Sequence, residues 1–95
     1  MTAARRTVTV VASGRVQGVY FRGWTVREAT VRGLDGWVRN RRDGTVEAVL
    51  SGDPGAVNAM LAAMRDGPPD AEVSDLEVRE EQGAPPTGFS QLPTS

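Results

Sequence analysis

A nine-residue segment, Gly14 to Arg22, constrains this chain more than any other part of the sequence. It follows an alternating apolar run and precedes a segment predicted to be helical from about residue 23 to 31. Gly14 and Gly18 bracket a short loop, and such a loop before a helix offers backbone N–H groups to an anion. Arg22 opposes the helix dipole, so it is a candidate for function: a guanidinium fork directed at the same anion.

The remaining elements are predicted from hydrophobic periodicity. Asp53 and Pro54 are typical of a helix N-terminus, and Gly67 to Pro69 ends that helix. Val73 is out of phase with Leu76 and Val78, which predicts a bend or bulge near Ser74. Strands are predicted over 7–12, 35–41, 45–51 and 75–80, with a two-residue turn at 43–44 and helices over about 23–31 and from 54 onward.

The order β-α-β-β-α-β predicts an α+β, ferredoxin-like sandwich with a four-stranded antiparallel sheet and two helices on one face. We expect a single domain over 1–95 with its core at about 7–80. The segment 82–95 is rich in Pro, Gly, Ser and Thr, so it is predicted to be a flexible or weakly docked tail.

Two long blocks stand out in the sequence, Gly14-x-Val16-Gln17-Gly18-Val19-x-Phe21-Arg22 and then Gly33-Leu34-x-Gly36-Trp37-Val38-x-Asn40, followed by the turn Asp43-Gly44. These motifs make the sequence similar to the acylphosphatase family. The resemblance covers about residues 7–80 and implies the same ferredoxin-like fold. The chain departs from the family pattern at Arg32, where the family usually has an aliphatic residue.

The resemblance also implies a chemistry and a site. It assigns phosphate binding to Arg22 and the orientation of a water molecule to Asn40. From spacing alone, Asn40 is better explained as a residue that closes a strand, although its amide offers a donor and an acceptor without charge. The predicted phosphate-binding loop consists of Val16, Gln17, Gly18, Val19, Tyr20 and Phe21.

The composition narrows the chemistry further. Histidine and cysteine are both absent, which removes the usual general base, thiolate catalysis and the commonest metal ligands. An acyl phosphate suits such a site, because its carboxylate leaving group departs unprotonated at neutral pH. We therefore predict a metal-independent hydrolase with no cofactor, whose site also takes inorganic phosphate or sulfate as product or mimic.

Two other functions stay open at this point. One is a non-enzymatic anion-binding or regulatory module on the same fold. The other is an RNA-binding domain, which would need aromatic residues on the central strands, where this chain has valine, threonine and alanine. A net charge of −1 and an apolar run limited to residues 8–12 predict a cytoplasmic protein that binds neither nucleic acid nor membrane. We also expect a monomer.

Overall fold

The computed structural model of the chain describes residues 4–95. Five strands and two helices follow one another in the order β1, α1, β2, β3, α2, β4, β5. Their bounds are β1 Arg6–Arg15, α1 Phe21–Val31, β2 Asp35–Asn40, β3 Val46–Gly52, α2 Pro54–Asp66, β4 Glu72–Glu80 and β5 Phe89–Gln91.

The sheet has the strand order β4-β1-β3-β2-β5. Its first four strands pair antiparallel, in the ferredoxin-like arrangement that the sequence predicts. The prediction of a four-stranded, purely antiparallel sheet is wrong, because β5 adds a fifth strand parallel to β2. The backbone of β2 is otherwise an open edge, and edge N–H and C=O groups can pair with any strand brought beside them.

The fifth strand lies in the segment 82–95, where we predicted a flexible or weakly docked tail. Asp35 accepts a 2.8 Å hydrogen bond from the Gly88 amide, and the Gly36 amide donates to the Gly88 carbonyl at 2.9 Å. Beyond the strand, the Leu92 amide donates to the Val38 carbonyl at 2.8 Å. The structure therefore places this part of the tail along β2, the strand that ends at Asn40.

One hydrophobic core lies between the sheet and the helices. Every second residue of the central strands is buried, as the alternation in β1 predicts. α2 buries one stripe at helical spacing, and α1 adds Phe21 and Ala29. The fully buried strand residues include Val8, Val10, Ala12, Val38, Val46, Ala48 and Leu50, and the α2 stripe is Val57, Met60, Leu61 and Met64.

The predicted irregularity near Ser74 is confirmed. Ser13 pairs with Asp75 while Gly14 pairs with Val73, so Ser74 is the extra residue of a bulge. A Cβ atom on Gly14 would lie 2.2 Å from the Glu72 carbonyl oxygen. Glycine is therefore needed at the point where β1 bends into the loop.

The hairpin between β2 and β3 is longer than the two-residue turn predicted at Asp43 and Gly44. It spans residues 41–45, closed by a hydrogen bond from the Arg41 amide to the Thr45 carbonyl. The Asp43 carboxylate accepts from both the amide and the hydroxyl of Thr45. The bond between Arg41 and Thr45 leaves residues 42–44 as the loop, one residue more than a two-residue hairpin turn has.

Arg32, the departure from the family pattern, lies directly after α1, and its Nη1 lies 2.8 Å from Glu28 Oε1. The same guanidinium also donates to the Glu28 carbonyl oxygen, so the arginine caps the end of the helix. Within residues 4–95, neither helix is long and apolar enough to cross a membrane.

Candidate active site

A cavity of about 200 Å³ lies where the loop after β1, the start of α1, the end of β2 and the strand β5 meet. It gathers residues that are far apart in the sequence. The lining residues are Val16, Gln17, Gly18, Tyr20, Phe21, Arg22, Gly23, Asn40 and Gln91.

The loop and the first turn of α1 leave their amides open. Within residues 4–95, no protein acceptor bonds the backbone N–H groups of residues 17–23, and the first helical bond is from Trp24 to Tyr20. Gly18 and Tyr20 both have positive φ, 75° and 66°. Tyr20 occupies the N-cap position of α1 without a capping side chain. An anion could therefore accept hydrogen bonds from this run of donors.

Arg22 lies on the first turn of α1, next to these amides. In the described part of the chain the only hydrogen bond of its side chain is a long one, 3.5 Å from Nη1 to the Leu92 carbonyl oxygen. Arg5, Arg6, Arg32 and Arg39 each pair with a carboxylate, whereas no described carboxylate pairs with Arg22. Its charge is thus uncompensated at a helix end that is already electropositive.

Asn40 is the last residue of β2 and faces the same cavity. Its carbonyl oxygen accepts a 3.0 Å hydrogen bond from the Ser95 amide. No hydrogen bond of its side-chain amide is found among residues 4–95, so the donor and the acceptor of that amide are both available. Asn40 and Arg22 therefore line the same cavity.

Gln17 has a structural contact that sequence reasoning missed. Its Nε2 donates to the Arg41 carbonyl oxygen at 2.8 Å and to the Thr45 carbonyl oxygen at 2.9 Å. These two bonds fasten the loop to the hairpin that begins immediately after Asn40. The contacts span 24 and 28 residues of sequence, so no local pattern indicates them.

All predicted site residues except Val19 line the cavity. Val19 packs instead against the hydrophobic core, and of its groups only the backbone remains for a ligand. The structure adds Gly23 and Gln91, which the sequence does not single out. Gln91 could not be found from pattern, because its position depends on the pairing of β5 with β2.

Two neighbouring charges, Arg39 and Asp43, are engaged in contacts of their own. Arg39 bonds Glu47 at 2.7 Å and stacks over Trp37 at 5.0 Å, and it does not line the cavity. The Thr45 hydroxyl, followed by its amide, lowers the pKa of Asp43, so this carboxyl stays ionised in its turn at neutral pH. No cluster of three or more metal-ligating His, Cys, Asp or Glu side chains occurs within residues 4–95.

Comparisons with known proteins identify the family and the fold. The acylphosphatase family model matches residues 8–91. An acylphosphatase from Rhodospirillum rubrum is 55% identical over 89 residues, which cover 94% of this chain and 98% of the relative. The crystal structure of acylphosphatase from Bacillus subtilis superposes with a TM-score of 0.88 at 36% identity, covering 92% of this chain and 98% of that one.

The chain belongs to the acylphosphatase family. It is accordingly a hydrolase, an acylphosphatase. A larger protein has the same fold: full-length HypF, in its phosphate- and nucleotide-bound form, has a TM-score of 0.90 at 21% identity. This chain covers only 13% of HypF, against 98% of the Rhodospirillum rubrum acylphosphatase.

Proposed function

We propose that the protein hydrolyses the carboxyl–phosphate bond of small acyl phosphates by direct in-line attack of water, without a metal or cofactor. The products are a carboxylate and inorganic phosphate. The observation that carries the proposal is the run of unbonded amides at residues 17–23 beside the uncompensated Arg22, with Asn40 in the same cavity.

The phosphoryl group is held by the loop amides and Arg22. Phosphoryl transfer passes through a loose transition state, with charge spread over three equatorial oxygens. Fixed N–H donors stabilise that charge without reorganisation, and a guanidinium fork matches two oxygens at once. Lysine could replace the charge of Arg22 but not the planar pair of donors.

Asn40 orients the attacking water. Its side-chain amide can accept a hydrogen bond from the water through Oδ1 and direct the water's lone pair toward phosphorus. The loose transition state demands little activation of the nucleophile, so a strong general base is unnecessary. The conjugate acid of the departing carboxylate has a pKa of about 4, so no general acid is needed either.

Hydrolysis of benzoyl phosphate in excess EDTA tests the proposal. We expect the rate to be the same with and without chelator, because no step uses a metal ion. Inorganic phosphate and sulfate should inhibit competitively. A rate that is lost with EDTA and restored by magnesium would contradict the mechanism. Binding of phosphate without any hydrolysis of benzoyl phosphate would instead favour a non-enzymatic anion-binding module.

The same proposal includes a cytoplasmic monomer that binds neither nucleic acid nor membranes. It is supported by the small net charge and by the absence of cysteine. Light scattering coupled to size-exclusion chromatography gives the molecular mass of the protein in solution directly. A mass close to the 10.1 kDa of one chain is expected, and twice that mass would contradict the monomer.

A further inference from the structure

Tyr20 has an unusual backbone and an unusual exposure. It is the only residue other than glycine with positive φ in residues 4–95, at φ 66° and ψ 25°. Its side chain is 64% exposed, although large apolar groups in this chain are mostly buried. Left-handed backbone is costly for a bulky residue and concentrates at functional sites.

The ring is held in a defined place. It lies across Gly23, since a Cβ atom there would be 2.3 Å from Tyr20 Cε1. The Arg27 guanidinium carbon lies 5.8 Å from the ring centroid, within the range of a cation–π contact. Glycine inside a helix is destabilising, so the gain at Gly23 is the room it gives to the ring.

Tyr20 also belongs to the lining of the cavity. Arg22 and the loop amides are committed to the phosphoryl group, and Asn40 is committed to the water. The acyl group must therefore extend from the bound phosphoryl group toward the rest of the lining. Of the large apolar residues there, Val16 and Phe21 are buried, whereas Tyr20 offers an exposed aromatic face.

We propose that the Tyr20 ring is the platform that contacts the acyl group and favours acyl phosphates with an aromatic or apolar acyl part. This inference rests on the proposed function and adds a determinant of its substrate specificity. An aromatic acyl group can stack on the ring or meet its edge, and a methyl group offers little area for either. The backbone amide of Tyr20 keeps its separate task at the phosphoryl group.

The test compares kcat/KM for benzoyl phosphate with kcat/KM for acetyl phosphate in wild type, Tyr20→Asn and Tyr20→Phe. Asparagine adopts positive φ more readily than tyrosine, so the backbone of the variant is not strained further. The intrinsic reactivities of the two substrates cancel when their ratio is compared between variants. We expect the benzoyl-to-acetyl ratio to fall about fivefold in Tyr20→Asn and to stay at the wild-type value in Tyr20→Phe.

Each alternative result has a definite meaning. Damage to the loop would lower kcat/KM for both substrates in parallel. An unchanged ratio in Tyr20→Asn would contradict the proposed contact between the ring and the acyl group. An equal fall in Tyr20→Phe would also overturn it, because the ring would then be irrelevant. Inhibition by benzoylphosphonate and acetylphosphonate should show the same change of ratio in binding alone. A wild-type protein that hydrolyses neither substrate would instead remove the proposed function itself.

Discussion

The two helices of this small protein begin in opposite ways. At α2, Asp53 accepts a hydrogen bond from the Ala56 amide at 3.1 Å, and Pro54 occupies the first turn, where it has no N–H group to satisfy. At α1, Tyr20 caps nothing, the first turn carries no acid, and Arg22 adds a positive charge. At α2 one orphan amide is thus capped by a side chain and another is removed by proline, whereas at α1 these amides are left open.

The difference separates stability from function. A carboxylate at the N-terminus of α2 accepts a hydrogen bond from one of these amides and complements the dipole, which stabilises the fold. The N-terminus of α1 forgoes that stabilisation, and we propose that it gains it when an anion binds from solution. The fold tolerates this because Phe21, which is buried, and Ala29 anchor α1 to the core.

Arg22→Lys should produce the largest loss. We expect kcat to fall by about 10²–10³, because removal of one well-placed donor at a developing charge has this effect. Inhibition by phosphate should weaken in parallel. Arg65→Lys, the same change in the last turn of α2, is the matched control and should behave as wild type. Near-wild-type turnover of a folded Arg22→Lys protein would rule out Arg22 as the anion clamp.

Asn40→Ala should lower kcat by about a hundredfold while competitive inhibition by phosphate stays nearly intact. This pattern follows if α1 and its loop bind the phosphoryl group and Asn40 only places the water. Asn58→Ala on α2 is the control, since Asn58 is the only other asparagine of the chain. If kcat falls by less than about threefold, the water-orienting role is excluded. If phosphate no longer inhibits, Asn40 belongs to the phosphate-binding residues.

Gln17→Ala should have a smaller effect, about a tenfold fall in kcat, because a slight misplacement of catalytic groups already costs this much. Its side chain ties the open loop to the hairpin after Asn40, so its loss changes the distance between the two halves of the site. Phosphate should still bind. If kcat is unchanged and only the melting temperature falls, the bonds of Gln17 serve stability alone.

Asp53→Ala should leave catalysis unchanged and reduce stability. Loss of an N-cap costs about 1 kcal/mol, which lowers the melting temperature of a domain of this size by about 4–8 °C. Kinetics at a temperature well below the transition, beside a thermal melt, check this. A loss of activity comparable to that of Arg22→Lys would show that the two helix ends are not functionally distinct.

Sequence reasoning succeeds where a local rule determines the structure. The N-cap at Asp53, the α2 stripe and the bulge at Ser74 each follow from side chains within a few residues of one another. α1 begins at Phe21, two residues before the predicted position, because Tyr20 gives no capping signal. Residues that favour a ligand over a local rule make the helix boundary hard to predict.

Long-range contacts account for the rest. β5 has only three residues in a segment rich in Pro and Gly, and its register depends on the edge that β2 presents. Gln91 enters the cavity through that pairing, and Gln17 reaches the hairpin across the fold. Arg22 is a candidate because a cation at a helix start opposes the dipole, whereas the role proposed for Asn40 rests on the family motif, since spacing alone favours a strand end.

The amide resonances of the two helix ends, followed by ¹⁵N–¹H correlation spectra during titration with inorganic phosphate, test the central claim most directly. The resonances of the open amides at residues 17–22 should shift progressively as phosphate is added. These shifts should fit one dissociation constant for phosphate, equal to its inhibition constant. The first turn of α2 should not move. Shifts of similar size at both helix ends, or a loop that does not respond to saturating phosphate, would contradict an anion cradle at α1.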